Sequence, residues 1–250
     1  MNTTTSTAAP QQLRVSRRAT LWRHVIVVAL AAALVGIFAQ YVHGQWSAMH
    51  KWNRAFGDAS LVLVTLSFGI GPLSRIYRRS VRLVPYRREL GIYAFVLALV
   101  HGIIILVGWV EFDLMRLFGF EFHPQLQRYV MFQSGFGLGN AIGILALVLA
   151  LLLAATSSDF ALRKLGASGW KFIQMGALPL WWLTVAHVAY FLYAHFLSFH
   201  RQTPDPNPLQ IPFAILVVAV LILRTTSYVR TVRSQNRRAQ RGNTSDSAPA

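Results

Sequence analysis

The chain holds eight histidines and no cysteine. Two of the histidines, His101 and His187, lie well inside apolar stretches, FVLALVHGIIILV and LWWLTVAHVAYFLY. An unpaired imidazole in apolar surroundings costs free energy, so each needs a partner. Ionisable side chains inside apolar spans mark function by default. A neutral imidazole is also the commonest protein ligand for a metal. The lack of cysteine removes disulfides, iron–sulfur clusters, thiolate zinc sites, a catalytic thiol and covalent c-type haem attachment. Ligation of a b-type haem by two imidazoles stays available, since it needs no thiol and suits an apolar setting. The rival reading is a polar pair that stabilises a transporter-like bundle. His24, His43, His50, His123 and His200 lie at helix ends or in loops. His195, eight residues past His187, is a reserve ligand or an interfacial residue.

The elements that must position this pair are helices. Hydrophobic residues make up 54% of the chain and charged residues 13%, about half the share usual in soluble domains. The apolar runs are long and do not alternate, so they read as membrane-spanning helices rather than strands. Six are expected, near 22–43, 59–77, 89–111, 136–156, 172–197 and 211–229. The fifth is long and contains Pro179, which predicts a kink. The fold class is therefore an all-α membrane protein, a six-transmembrane-helix bundle. The six-helix transmembrane domain, which would hold any haem, spans 21–230, between a disordered tail expected over 1–20 and a disordered basic tail expected over 231–250.

Net charge is +16, from 24 Lys and Arg against 8 Asp and Glu. Nineteen of the 24 cations precede the first run, separate the second from the third and the fourth from the fifth, or follow the sixth. Only Lys51, Arg54, Arg116, Arg128 and Arg201 fall on the opposite side. By the positive-inside rule both termini are cytoplasmic. The charge reads as a topology signal and attraction to the lipid bilayer, with no nucleic-acid role.

With that topology the third and fifth helices run outward. At about 1.5 Å per residue, His101 lies roughly 20 Å beyond Arg88 and His187 roughly 24 Å beyond Lys171. The two imidazoles are thus expected at matching depth, in the outer half of the membrane. Gly91, Ala94 and Ala98 form a small-residue stripe on the face of His101. It either admits a flat macrocycle or lets helices pack closely. Thr184 flanks His187 at helical spacing, where its hydroxyl either orients the ring or bonds back to its own helix. The glycines of GFGLGNAIG open an apolar helix and read as packing rather than a dinucleotide fingerprint. The outer connection 112–135 is rich in Phe and reads as an aromatic piece lying on the membrane surface. The stretch 201–210 is a Pro-rich loop.

Two longer segments resemble a known family. RRELGIYAFVLALVH, ending at His101, is similar to the third helix of the ferric reductase-like transmembrane domain family. LAATSSDFALRKLGASGWKFIQ, residues 153–174, looks like the family segment that precedes the histidine matched by His187. SFGIGPLSR is a weaker match to the family's Thr-Pro-Leu. Together they cover roughly 55–200. Within the family the likeness is to MsrQ-type haem-binding subunits of the protein-methionine-sulfoxide reductase system.

The resemblance implies a bacterial inner-membrane, multi-pass protein with haem at His101 and His187. It implies a periplasmic oxidoreductase as electron acceptor, and a membrane quinol or a separate reductase as donor. FMN or a quinone is a further cofactor by the same likeness. The family usually has a histidine where this chain has Gln174, so one haem is expected, not two. The alternatives are a haem-free bundle acting as a transporter or assembly partner, and a direct reductase of ferric iron or oxygen.

Overall fold

The computed structural model describes residues 17–131, 135–195 and 207–246. Among these described residues, six helical spans are long and apolar enough to cross a membrane. The first is α1, Arg17–Ile37, which ends in a π-helical turn over Phe38–Val42. Helix α2, Ala48–Ile76, runs back, and a 3-10 stretch over Arg78–Tyr86 leads into α3. Helix α3, Arg87–Ile104, also closes in a π turn, over Ile105–Trp109. Beyond a single turn, α4 (Leu114–Leu117), comes an antiparallel hairpin of β1 (Phe120–His123) and β2 (Arg128–Met131). Helix α5, Phe136–Thr156, crosses back to the basic end. There α6, Asp159–Gln174, precedes α7, Ala177–Ala189, which ends in a third π turn over Tyr190–Ala194. Helix α8, Gln210–Asp246, is the last span.

Helix α2 is the centre of the bundle and packs against α1, α3, α7 and α8. Its contact with α1 and α3 is built from Ala31, Ala39, Ala55, Ala59 and Ala94, all buried. Small residues let these backbones approach closely, the usual solution where lipid removes the hydrophobic drive for association. On the other side Phe68 stacks on the buried Trp181 of α7, ring centres 5.4 Å apart. The outer surfaces are apolar, with Val148, Leu151 and Leu152 of α5 and Ile215, Val218 and Ile222 of α8 exposed. Such a girdle is covered by acyl chains, not water. This is a multi-pass membrane protein.

Several boundaries differ from the sequence expectation. Helix α2 starts at Ala48, eleven residues before the expected 59. The added turns carry His50, Arg54 and Asp58, which line an internal cavity, and hydropathy cannot see a helix whose polar residues face inward. The expected loop before the fifth span is helix α6, which starts where Ser158 Oγ accepts from the Ala161 N–H at 3.0 Å. Pro179 does not kink a long helix. The break falls at Met175 and Gly176, and Pro179 sits in the first turn of α7, where a missing N–H is tolerated. The outer connection holds a hairpin besides exposed aromatics such as Phe112, Phe118, Phe122 and Tyr129. The expected coil over 231–250 is helical as far as Asp246. Its Arg, Gln and Ala residues are good helix formers, which allows the span to continue past its apolar part. Of the expected N-terminal tail, residues 17–20 are already helix, and 1–16 lie outside the described residues, as do His200 and 201–206 of the Pro-rich loop.

Candidate functional site

A cavity of about 1650 Å³ runs through the bundle. A drug-sized ligand site is about 300–1,000 Å³, so this one has room for a large flat group and more. His101 and His187 both line it. Their ring centres are 6.4 Å apart and their planes stand at 86°.

Each ring is held the same way. His101 Nδ1 lies 2.9 Å from the carbonyl oxygen of Asn53 on α2. His187 Nδ1 lies 2.8 Å from the carbonyl oxygen of Gly139 on α5. A carbonyl only accepts, so each Nδ1 carries the proton and donates it. Each Nε2 is then a bare lone pair, the form in which imidazole binds a metal.

The helical carbonyls are reachable because the residue one turn further on is glycine. A Cβ at Gly57 would stand 3.1 Å from His101 Nδ1, and one at Gly143 would stand 2.7 Å from His187 Nδ1. Asn53 with Gly57 and Gly139 with Gly143 thus form two matching cradles, each a carbonyl and a glycine four residues later. Both histidines precede the π turns that close their helices, a feature frequent at functional sites.

This geometry fits an iron porphyrin. Metal–imidazole bonds of about 2.0–2.1 Å place two opposed rings roughly 6 Å apart, centre to centre. The ring centres of His101 and His187 stand 6.4 Å apart, a separation compatible with that spacing. Perpendicular planes are no obstacle, because a ligating ring turns about the metal–nitrogen axis. Ala94 and Ala98 line the same cavity, with Gly91 and Gly102. Among the described residues no group of three or more His, Asp or Glu gathers for a metal ion.

The ferric reductase like transmembrane component family matches residues 54–183. The chain belongs to the ferric reductase-like transmembrane family. It is 29% identical over 160 residues to the protein-methionine-sulfoxide reductase heme-binding subunit MsrQ of Polaromonas naphthalenivorans (strain CJ2), covering 58% of this chain and 67% of that protein. It is 27% identical over 181 residues to the protein of the same name from Ralstonia nicotianae (strain ATCC BAA-1114 / GMI1000), covering 69% and 75%.

The other expected site residues of this family member fall as follows. Thr184 lines the cavity, and its hydroxyl donates to Leu180 O at 2.9 Å. Ala94 is buried, and its carbonyl accepts from Ser60 Oγ at 2.8 Å. His195 packs on Phe136 and Phe191, with Nδ1 3.5 Å from the Tyr190 hydroxyl. Gln174 Nε2 donates to Thr156 Oγ1 at 3.1 Å, and Trp170 Nε1 donates to Thr156 O at 2.9 Å. A side chain at position 174 therefore faces the basic end of the cavity, but this one ties α6 to α5.

Sequence reasoning missed the second helix of each cradle. The signal was present: Asn53 with Gly57, and Gly139 with Gly143, repeat one spacing. It acquires meaning only once each pair is known to face a histidine. Also missed was the far end of the cavity, lined by Arg75, Arg87 and Arg224. Arg87 packs on Gly71 and donates from Nε to Ser67 O at 3.1 Å, and Arg224 lies over the Phe68 ring at 4.2 Å.

Proposed function

We propose that this protein is a membrane electron-transfer subunit that binds one b-type haem between His101 and His187 and delivers electrons to a methionine sulfoxide reductase-type partner. The carrying observation is the pair of imidazoles, each fixed by Nδ1 donation to a carbonyl, with ring centres 6.4 Å apart. The names of both MsrQ relatives point the same way. A haem supplies a one-electron carrier in this setting.

The chain's own residues do the rest. The two carbonyls hold the rings and raise their basicity as ligands. Gly57 and Gly143 let the rings seat against the helices, while Ala94 and Ala98 keep the wall flat. The apolar cavity lining excludes water from the ligating nitrogens.

In this reading the termini and the basic end face the cytoplasm of a bacterial inner membrane. The hairpin end, toward which α3 and α7 run, faces the periplasm and the acceptor. The donor is a membrane quinol or a separate reductase at the basic end. An FMN or quinone would sit there, with Arg75, Arg87 and Arg224 facing its polar group.

The test is a visible spectrum of the purified protein, oxidised and then reduced, with haem counted per chain. One haem per chain with sharp reduced bands is expected, and none in His101→Ala or His187→Ala. Full haem content in both variants sinks the assignment. Two haems would refute the single-site reading drawn from Gln174.

A further inference from the structure

We propose that the electron acceptor docks on the cap made by α4 and the β1–β2 hairpin, over a small cleft walled by Trp109 and Phe136, and that electrons leave the haem through these two rings. This rests on the haem reading above and names the surface the partner meets. One electron leaves at a time. Ferrous iron becomes ferric, a one-electron acceptor on the partner gains that electron, and no bond is made or broken.

The cleft, of about 70 Å³, is lined by Trp109, Arg116, Gly119, Glu121 and Phe136. It has room for the end of one side chain. Trp109 and Phe136 also line the large cavity, so their rings form a wall shared by the two spaces. They stack with centres 6.4 Å apart and planes at 27°. Ring contact continues from this wall back to the ligating histidine. Phe136 meets Phe191 at 5.9 Å, and Phe191 meets His187 at 5.0 Å. These are ordinary separations for packed aromatic pairs. The path from His187 to the cleft therefore runs through packed rings rather than across a void.

The cap is fixed over this wall. The buried Asn140 of α5 donates from Nδ2 to Leu117 O at 2.7 Å, and a Cβ at Gly137 would stand 2.6 Å from Phe118 O. Gly119 takes φ +85°, which lets the chain turn from α4 into β1. Glu111 and Phe112 hold positive φ without being glycine, and Phe112 is 72% exposed. Such strain persists only where the surroundings impose it, and it collects at functional sites.

Two features fit a water-soluble protein rather than lipid. The first is charge. Residues 111–131 carry Glu111, Asp113 and Glu121 against Arg116 and Arg128, in a chain of net charge +16. Arg116 is held by Glu111 at 3.3 Å, whereas Glu121 makes no ion pair among the described residues. The cleft thus offers an open carboxylate to a lysine or arginine of the partner. The second is the backbone. A two-stranded sheet leaves N–H and C=O groups unpaired along its outer edges, and acyl chains cannot satisfy them. The exposed Phe122 and Tyr129 then face water, and exposed aromatics of this kind mark protein contact surfaces.

The test follows oxidation of the dithionite-reduced, full-length haem protein in lipid nanodiscs by cytochrome c, a basic, water-soluble one-electron acceptor. Rates are taken per haem. In Glu121→Lys the second-order rate at low salt is expected to fall roughly tenfold, while oxidation by the small anion ferricyanide is not slowed. Trp109→Leu is expected to lower the first-order rate at saturating cytochrome c severalfold, and Trp109→Phe, which keeps a ring, to stay near the parent. The chain has no cysteine, so Phe122→Cys supplies a single thiol. It is expected to react with a charged maleimide and to be protected by cytochrome c. Parent-like rates in either Glu121→Lys or Trp109→Leu overturn the proposal. So does an unreactive thiol at Phe122→Cys, which would place the cap in lipid. A chain that purifies without haem refutes the haem reading itself, a separate outcome that takes this proposal with it.

Discussion

Gly143 of α5 lies directly against the imidazole of His187, so close that a methyl group there would stand 2.6 Å from Cε1. Gly57 of α2 has the same relation to His101, but with more room, 3.1 Å to Nδ1 and 3.2 Å to Cε1. The pair predicts an order of effects. Gly143→Ala must push the ring off the Gly139 carbonyl, at a cost of about 1–3 kcal/mol for overpacking. Gly57→Ala needs a shift of only a few tenths of an ångström. Haem per chain and the unfolding midpoint in detergent are expected to fall more in Gly143→Ala than in Gly57→Ala. Equal behaviour, or the reverse order, counts against the cradle.

Glu89 is 1% exposed, and Arg23 Nε is 3.2 Å from its Oε1. Its other oxygen is buried and has no hydrogen-bond partner among the described residues. Removing the cation leaves a buried carboxylate uncompensated. Arg23→Gln is expected to destabilise by about 3–5 kcal/mol. Glu89→Gln removes the charge and should cost less, and the double variant should recover much of the loss of Arg23→Gln. Thermal unfolding in detergent reads this. A neutral Arg23→Gln would mean that the carboxylate is not held by this pair.

Gln174 and Trp170 both bond Thr156, joining the end of α6 to the end of α5. Trp170→Phe deletes one of these bonds while keeping an aromatic ring. A loss of about 0.5–1.5 kcal/mol is expected. It should show as faster hydrogen exchange confined to 159–174. Unchanged exchange there would indicate that apolar contact alone holds α6 down.

Gly166 interrupts α6 with φ +72°, and a Cβ there would meet nothing within 4 Å. Any effect of substitution is thus conformational. Gly166→Ala is expected to cost about 1–2 kcal/mol, and Gly166→Asn less, because Asn tolerates the left-handed region. Differential unfolding of the two variants checks this. An alanine variant as stable as the parent would mean that α6 does not need the break.

Much of the architecture was legible before any coordinates. Long apolar runs demand helices in lipid, because no other open segment satisfies its backbone there. That reasoning located six spans and singled out His101 and His187. Both were conspicuous because imidazole is costly among Leu, Ile and Val. Hydropathy failed where polar residues turn inward. The first turns of α2, with His50, Arg54 and Asp58, read as an exterior connection because charge counts carry no direction. Helix α6 was missed because an amphipathic surface helix has no apolar run.

What tertiary structure alone decided is the meeting of the two rings. The sequence by itself determined that two imidazoles lie inside spans at similar depth. It could not say which carbonyls receive their Nδ1 protons, since Asn53 and Gly139 each lie 48 residues from the histidine they hold. Nor could it tell a glycine that admits a ring from one that admits a helix, because both demand only the absence of a Cβ. The 6.4 Å separation of the rings follows from how α2, α3, α5 and α7 pack together, and no periodicity within any single helix contains it.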